Sequence, residues 1–255
     1  MMTHEKPIKY RVVNARECRD LIALAKEITA PAWPEFMMHD EIAVHNWSNM
    51  YEAFPEYQFA MIEEGSDRIL AIGNSVPLEW KRMIKELPDG GFDWALSQSL
   101  IDYRSGKTAT IQSALQIVIA GEFLGRSLSG ETVKTMIAIG RAHNLRKLVA
   151  PVRPNHKEQF PLIPMERYIE WQNDDNLPYD PWMRVHVRLG ARILKVCRES
   201  MRIEGTVADW QKWTGMSFPD SGQYLISGAL VPVQIDCQFD RGVYLEPNVW
   251  MSHTI

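Results

Sequence analysis

The sequence predicts an α/β fold, and three stretches predict it. A strand leading into a one-faced helix opens the chain, an antiparallel hairpin comes next, and the middle carries a strand–loop–helix–strand unit. That last unit spans about 40 residues, enough for a parallel β-α-β crossover. A hairpin and a crossover in one chain ask for a sheet of mixed direction with helices packed on it.

Each element has its own local signal. Ile8–Val13 has a period-two component and reads as a strand, with Asn14 placed to cap the next helix. Cys18, Leu21, Ile22 and Ala25 fall at i, i+3, i+4 and i+7, one face of a helix. The two prolines in Ala30–Pro34 remove donors and restrict their neighbours, so that helix ends there. A second helical region runs from about Glu35 to Phe54. Trp33, Phe36, Trp47, Tyr51 and Phe54 form either a substrate wall or ordinary core. Tyr57–Ile62 and Arg68–Val76 flank a Glu63–Asp67 turn and make the hairpin. Pro77–Gln112 lacks a clear period and reads either as a functional loop or as a packed excursion with some helix.

Ala114–Gly121 is a buried-strand candidate, and Glu122–Gly130 is a loop with two glycines and two serines. Val133, Met136, Ile137 and Gly140 give the next helical stripe, and Lys147–Val152 the second strand of the crossover. In the last third Arg192–Arg198 reads as a strand and Val207–Trp213 as a short helix. Tyr224–Asp236 and Val243–Leu245 are further strands. No repeat, low-complexity tract or linker divides the 255 residues, so one domain is expected.

Composition narrows the partners. The chain has 28 Lys and Arg against 32 Asp and Glu, a net charge of −4, with no long run of one sign. A general nucleic-acid binder shows a basic surplus, so no nucleic-acid partner is expected, although a local site for a small anion fits. Cys18, Cys197 and Cys237 form no paired framework and read as free thiols in a reducing compartment. Met1–Lys6 lacks the apolar core of a signal peptide, and the longest apolar stretch falls far short of a membrane span. A cytoplasmic protein without a membrane partner is expected.

Two places carry chemistry. Leu124, Gly125, Arg126, Ser127, Leu128 and Ser129 lie where a helix begins. Free amides and the helix dipole there favour phosphate, and Arg126 adds charge. Many such loops hold Gly and Ser without binding anything. His186 is the second place, a residue able to exchange a proton near neutral pH. In a helix Arg184 and Arg188 share a face and His186 points elsewhere; an extended chain puts all three on one side. A backbone carbonyl partner would equally explain this histidine. Glu122 suits a general base acting through water, or a plain exposed carboxylate. Asn155 comes after the second crossover strand, where a helix cap explains it as well. His39 and His45 lack ligand spacing, and neither a P-loop lysine nor a Gly-x-Ser-x-Gly elbow occurs, so no metal and no serine nucleophile are expected.

The order of elements up to about residue 165 resembles the GNAT superfamily, the GCN5-related acyltransferases. That family's pyrophosphate motif reads Gln or Arg, two residues, Gly, one residue, Gly or Ala. Here it falls on Leu124, Ser127 and Ser129, a departure at all three positions. The resemblance implies a mixed, mostly antiparallel twisted sheet flanked by helices, with a V-shaped opening between two central parallel strands. Residues 1–165 would form the core and 166–255 an elaboration of the sheet. It also implies acetyl-CoA or another acyl-CoA as cosubstrate, with no tightly bound cofactor and with the pyrophosphate on the Gly125–Ser129 amides. Asn155 would touch the cosubstrate, and Tyr168 would protonate the leaving thiolate.

Asp180–Ala191, read D-P-W-M-R-V-H-V-R-L-G-A, is similar to the D-P-x-L-x-F-H-x-x-H-G-A stretch of GNAT-like loading domains in polyketide assembly lines. That likeness makes His186 the catalytic histidine and puts Leu189 where a second histidine stands. It brings in an acyl carrier protein as a partner. The expected function is transfer of an acyl group from acyl-CoA or a carrier thioester to a small-molecule amine by direct attack. Decarboxylation of a malonyl-type thioester and a non-catalytic GNAT-shaped binding module are the alternatives. A homodimer is expected if the strand Val243–Val249 is an open edge.

Overall fold

A single mixed sheet organises the computed structural model, which describes residues 8–255; the expectation for Met1–Lys6 lies outside the described residues. The strands are β1 (Tyr10–Asn14), β2 (Gln58–Glu63), β3 (Ile69–Leu78), β4 (Ile111–Ile119), β5 (Lys147–Val152), β6 (Arg192–Gly205), β7 (Gly222–Tyr224), β8 (Val233–Asp236) and β9 (Arg241–Thr254). Their order is β1-β2-β3-β4-β5-β9-β8-β7, with β6 along the other side of β9. Among the described residues only β4 and β5 pair in parallel. The expected mixed, mostly antiparallel sheet flanked by helices is what the chain forms.

Helices cover both faces. On one face α1 (Leu21–Thr29), α2 (Glu41–Ala53) and α3 (Gly91–Arg104) bury a cluster that includes Leu21, Met50, Ile72, Leu96 and Trp250. On the other α4 (Leu128–Ala142), α5 (Met165–Tyr168) and α6 (Pro181–Arg188) enclose Phe59, Met136, Leu148, Met183 and Met251. A third cluster, with Phe36, Trp210, Ile235 and Tyr244, joins α7 (Val207–Thr214) to β8 and the first half of β9.

Several expectations need correction. Asn14 does not cap a helix: its side chain accepts from the amides of Arg16 and Glu17 at 3.0 and 3.2 Å and turns the chain, and α1 starts at Leu21. The Glu35–Phe54 region is split at Asp40, whose Oδ1 accepts from the Ala43 amide at 2.7 Å and starts α2 afresh. Of the two readings of Pro77–Gln112 the functional loop fails and the packed excursion with some helix holds, its helix being the 14-residue α3. Its buried face includes Ser99 and Asp102, and these polar residues break the apolar stripe in the sequence. Gly91 opens α3 with φ +38°; a Cβ there would lie 2.1 Å from Ser200 Oγ, so only glycine lets this helix start against β6. Tyr224–Asp236 is two short strands rather than one. Val243–Val249 is no open edge. It lies within β9, bonded to β6 along its length and to β8 and β5 on its other side.

The central opening arises from pairing. β4 and β5 are joined only at Gln112–Leu148 and Ser113–Val149, then diverge. A register shift against Asn74 and Ser75 leaves Leu115 of β4 as a bulge, which sharpens local twist at the point of divergence. The V therefore opens toward the carboxyl ends of both strands.

Candidate active site

Two segments leave the mouth of the V. From β4 the chain passes through a short turn, Gly121–Phe123, to a loop that ends in α4. Gly125 has φ +79° and Ser127, directly before α4, has φ +62°. The motif position that asks for glycine thus adopts the left-handed conformation although it holds serine, at a cost of about 1 kcal/mol. The first amides of α4 have no carbonyl of their own helix to bond, as at any helix start. A Cβ built at Gly121, Gly125 or Gly130 would meet nothing within 4 Å, so the main chain here is open to a ligand. Leu124 is exposed, Leu128 is buried and Ser129 half-buried. Arg126 is half-buried; hydrogen bonds from Arg68 and then Ser66 lower the pKa of Glu63, and the Arg126 charge adds a smaller push in the same direction. Glu122 is exposed and stands 3.9 Å from Arg68.

The second segment leaves β5. Asn155 is exposed at the same end of the V. His156 donates its amide to Asp180 Oδ2 at 2.8 Å, and Tyr168 donates its hydroxyl to the same oxygen at 2.9 Å. Asp180 also caps α6 through Oδ1, which accepts from Trp182 and Met183, and Pro181 stands at the helix start. The Asp-Pro pair read in the sequence is therefore a helix start that anchors the segment after β5. Tyr168 is 1% exposed; burial and the Asp180 carboxylate hold its hydroxyl well above the usual tyrosine range.

His186 lies on α6, so the extended alternative does not apply. Arg184 turns back to the carbonyls of Pro178 and Tyr179 while His186 points inward. Its Nδ1 is 2.9 Å from Nε2 of His253 on β9. Burial and the second ring lower the pKa of His186 to about 3, and burial lowers that of His253, so both rings are neutral at pH 7. Nε2 of His186 has no hydrogen-bond partner within the protein. His253 pairs with Leu148, near the closed end of the V, away from the loop at Gly125–Ser129. Sequence reasoning missed His253, which is 67 residues from its partner.

The face that carries α2 and α3 holds a second polar assembly, also missed. Between β5, which ends opposite Val249, and β8, which begins opposite Val243, β9 lacks a strand on one side. Arg153, just past β5, fills this gap: its Nε bonds both oxygens of the fully buried Glu246, the nearer at 2.9 Å, and its Nη2 bonds the Gly228 carbonyl. Tyr244 and Asn248 also donate to Glu246 at 3.0 Å each. Asn248 accepts from Ser200, which accepts from the Phe92 amide. Next to them, Asp93 of α3 accepts from the Arg202 amide at 3.0 Å and faces Asp40. Burial first, then the Asp40 charge, pushes Asp93 up to about 9, and burial raises Asp40. Trp33 lies against Arg153, ring centre 5.9 Å from the guanidinium.

Two surface hollows, of about 280 Å³ beside Glu158 and Leu225 and about 450 Å³ beside Asp89 and Arg198, contain none of the candidate residues. Among the described residues no group of three or more His, Cys, Asp or Glu side chains is disposed to hold a metal ion, and no helix is long and apolar enough to cross a membrane.

No family model matches the chain. It is 30% identical over 249 residues to the arginine N-acetyltransferase avaD of Aspergillus versicolor, covering 88% of this chain and 85% of that protein. Among solved structures, the loading GNAT-like domain of CurA from Lyngbya majuscula superposes with a TM-score of 0.58 at 18% identity, covering 96% of this chain and 98% of that one. The GphF GNAT-like decarboxylase in complex with isobutyryl-CoA superposes with a TM-score of 0.53 at 16% identity, covering 74% and 90%. At such identities these two share the fold.

Proposed function

The chain belongs to the GNAT superfamily of N-acyltransferases, and from that membership we propose that it moves an acyl group from acyl-CoA to a nitrogen of a small cationic acceptor. The observation that carries this reading is the joint of β4 and β5: a two-pair contact, a bulge, and a glycine-containing loop leading into α4 at the open end. A thioester lying in such a V has its carbonyl between the strands and its diphosphate at the α4 amides. The 30% identity to an arginine N-acetyltransferase supports nitrogen as the nucleophile and an acceptor of that chemical kind.

In this reading the amides of Gly125–Ser129 and the charge of Arg126 hold the diphosphate, and Asn155 meets the cosubstrate from the segment after β5. Holding both reactants in one cleft supplies proximity, and main-chain donors along the strands stabilise the oxyanion of the tetrahedral intermediate. The nitrogen loses its proton, attacks the thioester carbon, and the C–S bond breaks. Glu122, at the mouth, takes the first proton through water, and the second passes from the nitrogen of the tetrahedral intermediate through water to the departing sulfur, which leaves as the thiol. Tyr168 enters as a support for the segment after β5, since its hydroxyl serves Asp180. His186 is neutral at pH 7 and acts as a hydrogen-bonding group near the closed end of the V.

Thiol release with acetyl-CoA and a panel of amines, read with a disulfide reagent, tests the reading. Turnover that needs both substrates supports it. Carbon dioxide release from malonyl-CoA without any amine would favour a decarboxylase, and tight thioester binding without product a binding module. An acyl-pantetheine carrier protein serving in place of acyl-CoA would identify the donor. Arg126→Ala is expected to raise KM for acetyl-CoA about tenfold with kcat within about threefold, the mark of a lost ground-state contact to phosphate. An unchanged KM removes Arg126 from the site.

A further inference from the structure

Asp40 and Asp93 each keep one carboxylate oxygen, Oδ2 and Oδ1 respectively, that no donor of the protein satisfies. Asp40 is wholly buried and its other oxygen caps α2; Asp93 is partly exposed and its other oxygen accepts from β6. The two carboxyls lie within hydrogen-bonding reach of each other. The charged and titratable groups around them are Glu246 and Tyr244 from β9, Arg153 from the end of β5, and Arg202 from β6. Arg153 is engaged with Glu246 and Gly228, and the Arg202 side chain turns outward to Glu204, so neither neutralises the pair.

Buried acceptor oxygens are costly to leave unmet. Within the protein alone, one proton shared between the two carboxyls meets them. A guanidinium or ammonium supplies the missing donors from outside, and a guanidinium presents two parallel N–H groups in a fixed fork. The pair sits on the α2 and α3 face, next to the Arg153–Glu246 network that closes the gap beyond β5.

We propose that Asp40 and Asp93 bind the guanidinium end of the acceptor, and that its arrival expels the proton the two carboxyls share. The inference rests on the acyltransferase reading and assigns the charge of its second substrate. The proton passes to solvent and no covalent bond changes. The raised pKa of Asp93 means that the proton is present at neutral pH for the ligand to displace.

The test is calorimetric titration of the whole chain with L-arginine, agmatine and L-citrulline, which keeps the α-ammonium of arginine and replaces only the guanidinium by a neutral urea, in phosphate and in Tris buffer. Acetyl-CoA binding is measured separately. Wild type is expected to prefer arginine or agmatine over citrulline by about tenfold or more, with an enthalpy difference between buffers worth about one proton per site. D93N copies the neutral carboxyl in shape, so it should fold. It should lose the preference and the proton release and leave acetyl-CoA affinity within about twofold. D40N retains a good helix cap and is the second variant, expected to behave alike. Equal binding of arginine and citrulline by wild type, or unchanged arginine affinity in both variants, overturns the inference. If acetyl-CoA still binds and acyl transfer still occurs in that case, the acyltransferase reading stands. Cation binding without any acyl transfer would overturn the reading and leave the cation site in place.

Discussion

At the mouth of the V, Gly121 to Ser129 is largely exposed main chain, with a positive φ at Gly125 and Ser127 and empty space around its glycines. Across the sheet, Asp40, Asp93, Arg153 and Glu246 are ionisable side chains drawn from four separate elements and mostly withdrawn from water. The first region can receive an anion without any special side chain, because helix amides are unpaired wherever a helix begins. The second can receive a cation only through carboxyls, and burying these demands partners or protons. An anion site made of backbone costs the fold little. A cation site made of buried acids is held against its own repulsion, so the two regions should respond oppositely to mutation and pH.

The strongest way to break this contrast is Arg153→Ala. It leaves the fully buried Glu246 without its cation and should cost roughly 3–5 kcal/mol, read from urea denaturation. A loss under about 1 kcal/mol would mean that water already screens the network.

Asp93→Asn sharpens the contrast through pH. Unfolded, Asp93 ionises near 3.8; folded, near about 9. Between those values the folded chain keeps a proton that the unfolded chain has lost. Stability therefore falls as pH rises through the window and levels off above it, by at most ~1.4 kcal/mol per pH unit from this group. The variant should have a flatter profile there. An identical profile would show that Asp93 does not keep its proton in the fold across this window. The histidine pair carries the opposite sign: held neutral in the fold, it lowers stability as pH falls from 6.5 toward about 3.

The smallest effect belongs to the loop. Ser127→Gly relieves the left-handed serine and should change stability by no more than ~1 kcal/mol, with KM for acetyl-CoA unchanged or lower. A clear rise in KM would show that the Ser127 hydroxyl itself touches the cosubstrate.

Elements with a run of buried apolar residues were legible in the sequence, even where Gln58, Asn74 or Ser75 lies buried among them. The β2–β3 hairpin, β5 and α7 lie within a residue or two of where periodicity puts them. Three others were obscured by buried polar residues. Ser99 and Asp102 hid α3; Gln112 and Ser113 delayed the apparent start of β4; Glu246, Asn248, Ser252 and His253 broke up β9. The loop at Gly125–Ser129 was visible because its signal is local, small residues at a strand-to-helix junction. The carboxyl pair and the histidine pair were not, because each joins residues more than 50 positions apart through contacts that no window contains.

By itself the sequence determined the alternation of strands and helices and the crossover with its glycine-containing turn. Side-chain period acts over a few residues, so a linear string records it. Only the tertiary structure decided that β9 would be inserted between β5 and β6, and that four ionisable side chains would meet beside the gap this leaves. That choice depends on which buried polar groups can satisfy one another, and a hydrogen bond between distant elements exists only once the sheet has brought them together.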